Sequence, residues 1–309
     1  MKIFDAHCDV LMKMYLDSSI DFYDESLQIN YPALVTNHSK VQCFAIYIPE
    51  SVPMTAKFNA ALSMSDIFLK KIVTVPNMKH VKTKQDIIAL KEGEIGAILT
   101  LEGCDCIYNE MNKLEVLLNK GVTSVGLTWN YANFTADGAL EKRGAGLTEF
   151  GEQVVKELNS HAVWCDVSHL SEKAFWDVFE LAEYPIASHS NAYGLCANPR
   201  NLKDDQIKEL IRKEGVIGVT FVPQFLTERG QAEIHHVLSH LDYICSLGGQ
   251  RNVGFGSDFD GITHTVPGLS SYSQYDNLVN ELYKRYSASQ VEGFLYGNFM
   301  DHLPDNRTK

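Results

Sequence analysis

Short apolar runs recur along this chain with polar, helix-compatible segments between them. The runs are IFDAHCD (3–9), VQCFAIYI (41–48), IGAILTLE (95–102), VTSVGLTW (122–129), AVWCDVSH (162–169), PIASH (185–189), VIGVTF (216–221) and NVGFGSDF (252–259). Their lengths and their content of β-branched and aromatic residues predict eight strands. Helical spacing follows in the intervening segments. GLTEFGEQVVKEL places Val154, Val155 and Leu158 on one face, and AEIHHVLSHLDYICSLGG does the same for Ile234, Val237, Leu238, Leu241 and Ile244, with Gly248 and Gly249 as a stop signal. Two further helices are expected over 272–286 and 288–303. Eight strand–helix units in 309 residues predict an α/β chain folded as a (β/α)8 TIM-like barrel with extra C-terminal helices, one domain spanning 1–309. An open doubly wound sheet is the alternative. It would carry a glycine-rich first turn, which DAHCDV lacks.

The polar residues interrupting these runs sit at their ends. His7 and Asp9 end the first run, Glu102 the third, His169 the fifth, His189 the sixth and Asp258 the eighth. In a (β/α)8 barrel the C-terminal strand ends form one rim, where functional groups gather. Burying these groups is costly unless they are paired or bound to metal. Residues i and i+2 of a strand share a face, so His7 and Asp9 would both look into the barrel while Cys8 faces the helices. Alone, His-x-Asp would be a satisfied core histidine beside a capping aspartate. The other strand ends turn it into a metal site. Three histidines and two carboxylates exceed one tetrahedral zinc. Glu102, with two oxygens to share, is the natural bridge between two divalent ions ~3.5–4 Å apart that clamp a hydroxide. Two such ions balance Asp9, Glu102, Asp258 and the hydroxide. Mixed nitrogen and oxygen ligation suits Zn2+, two per chain, with Mn2+ or Co2+ also compatible.

Composition removes other classes. A formal charge of −12 disfavours nucleic acid. No run approaches the ~20 apolar residues of a membrane span, and MKIFDAH carries no signal core. Seven cysteines, odd in number and without a C-x-x-C pair, fit reduced thiols and a cytoplasmic setting. His235, His236 and His240 are expected to be solvated on an outer helix. His38, His80, His161, His264 and His302 have no ligand partners in sequence. Cys104 and Cys106 read as small loop residues, and Met12 and Met14 as packing.

FDAHCD, LEG, GLTEFGEQVVKELN, DVSHLSE, SHSNAYGLCANPRNL and GFGSDFDG occur in the order seen in the renal (membrane) dipeptidase family, peptidase family M19. The chain resembles a bacterial-type cytoplasmic member of that family from residue 3 to about 300. The resemblance implies a barrel with a binuclear zinc site that hydrolyses dipeptides, tolerates a D-residue at the C-terminal position, and usually forms a homodimer. By position, His7 and Asp9 would hold the first zinc, Glu102 would bridge, and His169 and His189 would hold the second. Asp258 would be the catalytic acid/base partner, with Asp260 structural. Arg200, eleven residues after His189, matches the arginine that holds the substrate carboxylate, a task suited to a planar guanidinium. One position departs. The mammalian members have LTHN, where this chain has GLTWN, so Trp129 stands in place of a histidine near the substrate carbonyl, with Asn130 beside it as a polar neighbour. Two other readings remain. One is a binuclear amidohydrolase acting on an N-acyl amino acid, lactam or lactone. The other is a metal-retaining protein of reduced turnover.

Overall fold

The computed structural model describes residues 1–228 and 230–304. Nine strands form in chain order: β1 (Ile3–Asp5), β2 (Ser39–Tyr47), β3 (Met78–His80), β4 (Ile95–Glu102), β5 (Val122–Gly126), β6 (Trp164–Asp166), β7 (Pro185–Ile186), β8 (Ile217–Val219) and β9 (Val253–Phe255). All pairings between them are parallel, and the spatial order is β7-β6-β5-β4-β2-β1-β9-β8. The two ends of that path meet through Ala187, whose N–H donates to the Val216 carbonyl at 3.0 Å and whose carbonyl accepts from Gly218 N–H at 2.8 Å. The result is a nearly closed eight-stranded (β/α)8 barrel, as the run pattern predicts. β3 was not anticipated. It lies off the path, pairing only with β4, and its MKH sequence carries too little apolar signal to register.

Alternation along the strands separates two packed layers. Val41 and Cys43 of β2 point inward and cluster with Phe4, Ile98, Trp164 and Ile186 from strands around the barrel. Phe299, Met300 and Leu303 plug this interior from the C-terminal segment, with the Phe4 and Phe299 rings stacked at 5.1 Å. Phe44 and Ile46, on the other face of β2, join the larger core beneath the helices.

The expected helices form. Thr148 caps Glu149–Ser160 by accepting from Gly151 N–H at 2.9 Å, and Glu149 and Glu152 sit in its positively polarised first turn. The C-terminal segments fold as Tyr275–Tyr283, Ala288–Glu292 and Asn298–Asp301. Ile234–Ile244 buries Val237, Leu238, Leu241 and Ile244 as its periodicity requires. One expectation fails there. His235 is exposed, but His240 is fully buried, its Nδ1 accepting from Ala192 N–H at 3.0 Å and its Nε2 lying 3.0 Å from the Leu226 carbonyl. The helix turns this face to the loop after β7, so His240 is a satisfied core histidine.

Strands end earlier than the apolar runs suggest, for a local reason. The Asp166 carboxylate accepts from Ser168 N–H at 3.0 Å, which turns the chain out of β6 before His169. Among the described residues no helix is long and apolar enough to cross a membrane. All seven cysteines are free, and Met14 packs in the core as expected, whereas Cys104 and Cys106, read as small loop residues, lie fully buried in the core in the turn after β4.

Candidate metal centre

The barrel brings six side chains from the sequence pattern to one rim. Glu102 is the last residue of β4, held between Tyr47 of β2 and Gly126 of β5. His7 and Asp9 follow β1, His169 follows β6, His189 follows β7 and Asp258 follows β9. His7 Nε2 lies 3.5 Å from Asp9, 3.3 Å from Glu102 Oε2 and 3.7 Å from Asp258. On the other side of Glu102, Oε1 lies 2.8 Å from His169 Nε2 and 3.6 Å from His189 Nε2. The same-face relation of His7 and Asp9 therefore survives, although regular strand ends at Asp5. His169 and Asp258 have left-handed backbones, with φ of 70° and 63°. Histidine and aspartate are among the non-glycine residues that tolerate this region best, and such backbones gather at functional sites.

Hydrogen bonds at the far nitrogens decide what the two distal imidazoles can do. Asn130 Oδ1 can only accept, so His169 Nδ1, 2.8 Å away, carries the proton. Ser188 gives its hydroxyl proton to Asp166, so Ser188 Oγ accepts from His189 Nδ1 at 2.8 Å. Both Nε2 atoms are then bare lone pairs, 2.8 Å apart, aimed at a carboxylate oxygen. Such a cluster repels itself unless a cation lies within it. The nearer half is equally unfinished: His7 Nε2 and Asp9 Oδ1 are buried without a hydrogen-bond partner among the described residues. Gly261 closes that side, where an added Cβ would come within 2.3 Å of Asp9 Oδ2 and 2.7 Å of Asp258 Oδ1. The residues fit a metal.

The electrostatics agree. Burial, together with the Arg200 charge, lowers His169 to about 3. Burial and the neighbouring His7 and His169 hold His189 well below its ordinary value. Burial opposes ionisation of both Glu102 and His7, yet their mutual attraction wins, with Glu102 well below and His7 well above the usual range. Burial and the Glu102 charge raise Asp9, and burial with Asp9 and Glu102 raises Asp258 well above a normal carboxylate. A bound divalent cation reverses this logic by favouring every carboxylate as its anion.

Two cavities adjoin. One, of about 280 Å³, opens over the metal-facing groups and is walled by Tyr47, Trp129, Phe225 and Gln224. The other, of about 600 Å³, lies beyond His169, which lines both.

A sequence model of the membrane dipeptidase family, peptidase family M19, matches residues 1–305. The chain belongs to that family. It is 26% identical to the crystal structure of dipeptidase AC, a metallopeptidase of family M19, with a TM-score of 0.92 and 98% of each chain covered. It is 25% identical to a metallopeptidase from Rhodobacter sphaeroides solved with a phosphinate mimic of the dipeptide L-Ala-D-Ala, with a TM-score of 0.90 and 98% of each chain covered. It is also 34% identical to dipeptidase aclJ of Aspergillus oryzae over 69% of this chain, and spans about half of that relative, 52%. Membership brings metal dependence with it.

Within this M19 chain the remaining candidates take distinct places. Trp129 packs 5.3 Å from Tyr47 and 6.1 Å from His169, so its ring walls the metal-facing cavity. Asn130 borders that cavity, but its carbonyl oxygen is engaged with His169. Arg200 is 4% exposed, donates from Nη2 to the His189 carbonyl at 3.3 Å, and has no partner at Nε among the described residues. It lines the larger cavity rather than the metal-facing one, and burial lowers it to about 10. Asp260 accepts from Gln28 and Ile29 N–H, each at 2.9 Å, and meets Lys13 at 3.0 Å, pinning the loop after β9. Met12, expected as packing, borders the metal-facing cavity, as does His264 at its exposed rim. Sequence reasoning missed Tyr47, Asp166, Ser188 and Gln224. Asp166 and Ser188 stand beside predicted ligands in DVSH and ASHS, and Tyr47 sits at the end of the second apolar run.

Proposed function

We propose that this chain is a zinc-dependent dipeptidase acting on free dipeptides, including those with a D-residue at the C-terminal position. The observation that carries the reading is the convergence of two proton-free imidazole nitrogens and a buried His7–Asp9 pair on the two oxygens of Glu102. His7 and Asp9 would hold one ion, His169 and His189 the other, and Glu102 both. When bound, the ions supply an activated water and polarise the scissile carbonyl. The donor set also accepts Mn2+ or Co2+.

The chain's own groups do the rest. Asp258, partly exposed beside His7, takes the proton of the attacking water and delivers it to the leaving amine. Its place in the wall of the metal-facing cavity, 3.7 Å from His7, suits that shuttle. Arg200 offers an Nε–H without a partner among the described residues for the substrate's terminal carboxylate, from the larger cavity that His169 also lines. Trp129 excludes water and narrows the pocket towards small side chains. Asn130 and the Ser188–Asp166 pair keep the histidine ligands in one tautomer. The working form is a cytoplasmic homodimer of single-domain chains.

The test is a panel of dipeptides with L or D C-terminal residues, as free acids and as amides, with zinc counted per chain. Hydrolysis of the acids, two zinc ions per chain and loss of turnover on chelation are expected, with amides poor. Full activity in metal-free protein would refute the metal mechanism, and equal turnover of acids and amides would refute the Arg200 assignment.

A further inference from the structure

We propose that the Tyr47 hydroxyl is a catalytic hydrogen-bond donor to the oxyanion that develops when water adds to the scissile carbonyl. The inference rests on the dipeptidase reading above. Tyr47 is the last residue of β2 and sits in register opposite Glu102 of β4. Val41 and Cys43 of β2 face the barrel interior while Phe44 and Ile46 face the helices. Continuing that alternation through Ala45 directs Tyr47 into the barrel mouth, on the same side as Glu102. Its side chain lines the metal-facing cavity together with Asp9, Glu102 and Asp258. The Trp129 ring braces it at 5.3 Å and 51°.

The hydroxyl has no hydrogen-bond partner among the described residues, and it opens on a cavity rather than on the core. Elsewhere on that wall Asn130 Oδ1 is bonded to His169, Thr263 lies 3.1 Å from His264 Nδ1, and His264 and Gln224 are exposed. A phenol is a single rotatable donor. At a strand end it is positioned by the sheet, and a donor so placed costs little reorganisation as charge develops. No proton leaves Tyr47. The oxyanion keeps its charge and returns it when the C–N bond breaks, and the water's proton reaches the amine through Asp258.

The test compares Tyr47→Phe with Trp129→Phe, both loaded with zinc. Each keeps an aromatic ring and loses one donor. Wild-type hydrolysis and its sensitivity to chelation are measured first, so that failure of the dipeptidase reading appears before any variant is made. For Tyr47→Phe, kcat should fall ~10²–10³-fold with KM within about threefold of wild type and zinc content unchanged. By calorimetry, the affinity for a phosphinate dipeptide mimic should fall by a similar factor, while that of an unreactive dipeptide amide should not. Trp129→Phe alters the pocket wall, and should lower kcat and phosphinate affinity by clearly smaller factors than Tyr47→Phe does. The proposal is overturned if Tyr47→Phe keeps kcat and phosphinate affinity within about threefold. Loss of zinc from Tyr47→Phe, or transfer of the whole effect to Trp129→Phe, overturns it equally.

Discussion

The two halves of the proposed metal centre are built on different principles. The His169–His189 half is held by the protein. Each imidazole is fixed at its far nitrogen, one by Asn130 and the other by Ser188 backed by Asp166, and both are kept neutral. The His7–Asp9 half is held by charge. Its carboxylates crowd one another, its histidine is driven towards the cation, and its unpartnered atoms face inward. One side is a preformed nitrogen site, and the other becomes balanced only when a metal ion enters. Glu102 belongs to both, which makes it the position where the contrast disappears.

The largest effect is therefore expected at Glu102. Glu102→Gln should release both ions and reduce hydrolysis to background, whereas Asp9→Asn should weaken one ion and leave the other; metal counting by mass spectrometry under native conditions separates the cases. Asp258→Asn comes next. It should lower kcat ~10²–10⁴-fold while both ions remain; near-normal kcat would place the proton shuttle elsewhere. A smaller effect is expected from Ser188→Ala, which frees the His189 tautomer. It should cost ~10–100-fold in metal affinity on the preformed half only, read by competition with a chromogenic chelator. The smallest effect is a pH dependence. His7 binds its proton more tightly than an ordinary imidazole, so filling its half releases a proton, and affinity there should fall roughly tenfold per unit as pH drops below neutrality. His169, with its pKa lowered to about 3, has no proton to lose, so the other half should hold its ion over the same range. Parallel loss of both ions on acidification would remove the distinction.

Much of this was legible in the sequence because the signal was positional. Eight apolar runs gave the barrel, and the polar residues at their ends gave the rim. What stayed hidden depends on partners far apart in the chain. The bond from Asn130 to His169 spans 39 residues and that from Ser188 to Asp166 spans 22, and neither leaves a periodic trace. His240 looked solvated because helical periodicity reports the main buried face, not a second face met by a loop. Asn130 was expected beside the substrate, and nothing in the sequence signals that its amide oxygen also holds His169. Arg200 was matched to a carboxylate, but only the fold shows it facing the larger cavity across His169. β3 was invisible because three residues pairing on one edge carry almost no pattern.

The Phe4–Phe299 stack has a consequence for how the protein is made. β1 lies between β2 and β9, so the first ligands to leave the ribosome, His7 and Asp9, meet Asp258 only after nearly the whole chain has been synthesised. The interior beside them stays open until Phe299 arrives to fill it. Joining segments this distant is slow, because the entropy of closing the loop is lost before any contact is gained. Completion of the His7–Asp9 half is thus a closing event of biogenesis. A chain truncated before Asp258 and Phe299 lacks a carboxylate beside His7 and the plug of the barrel interior.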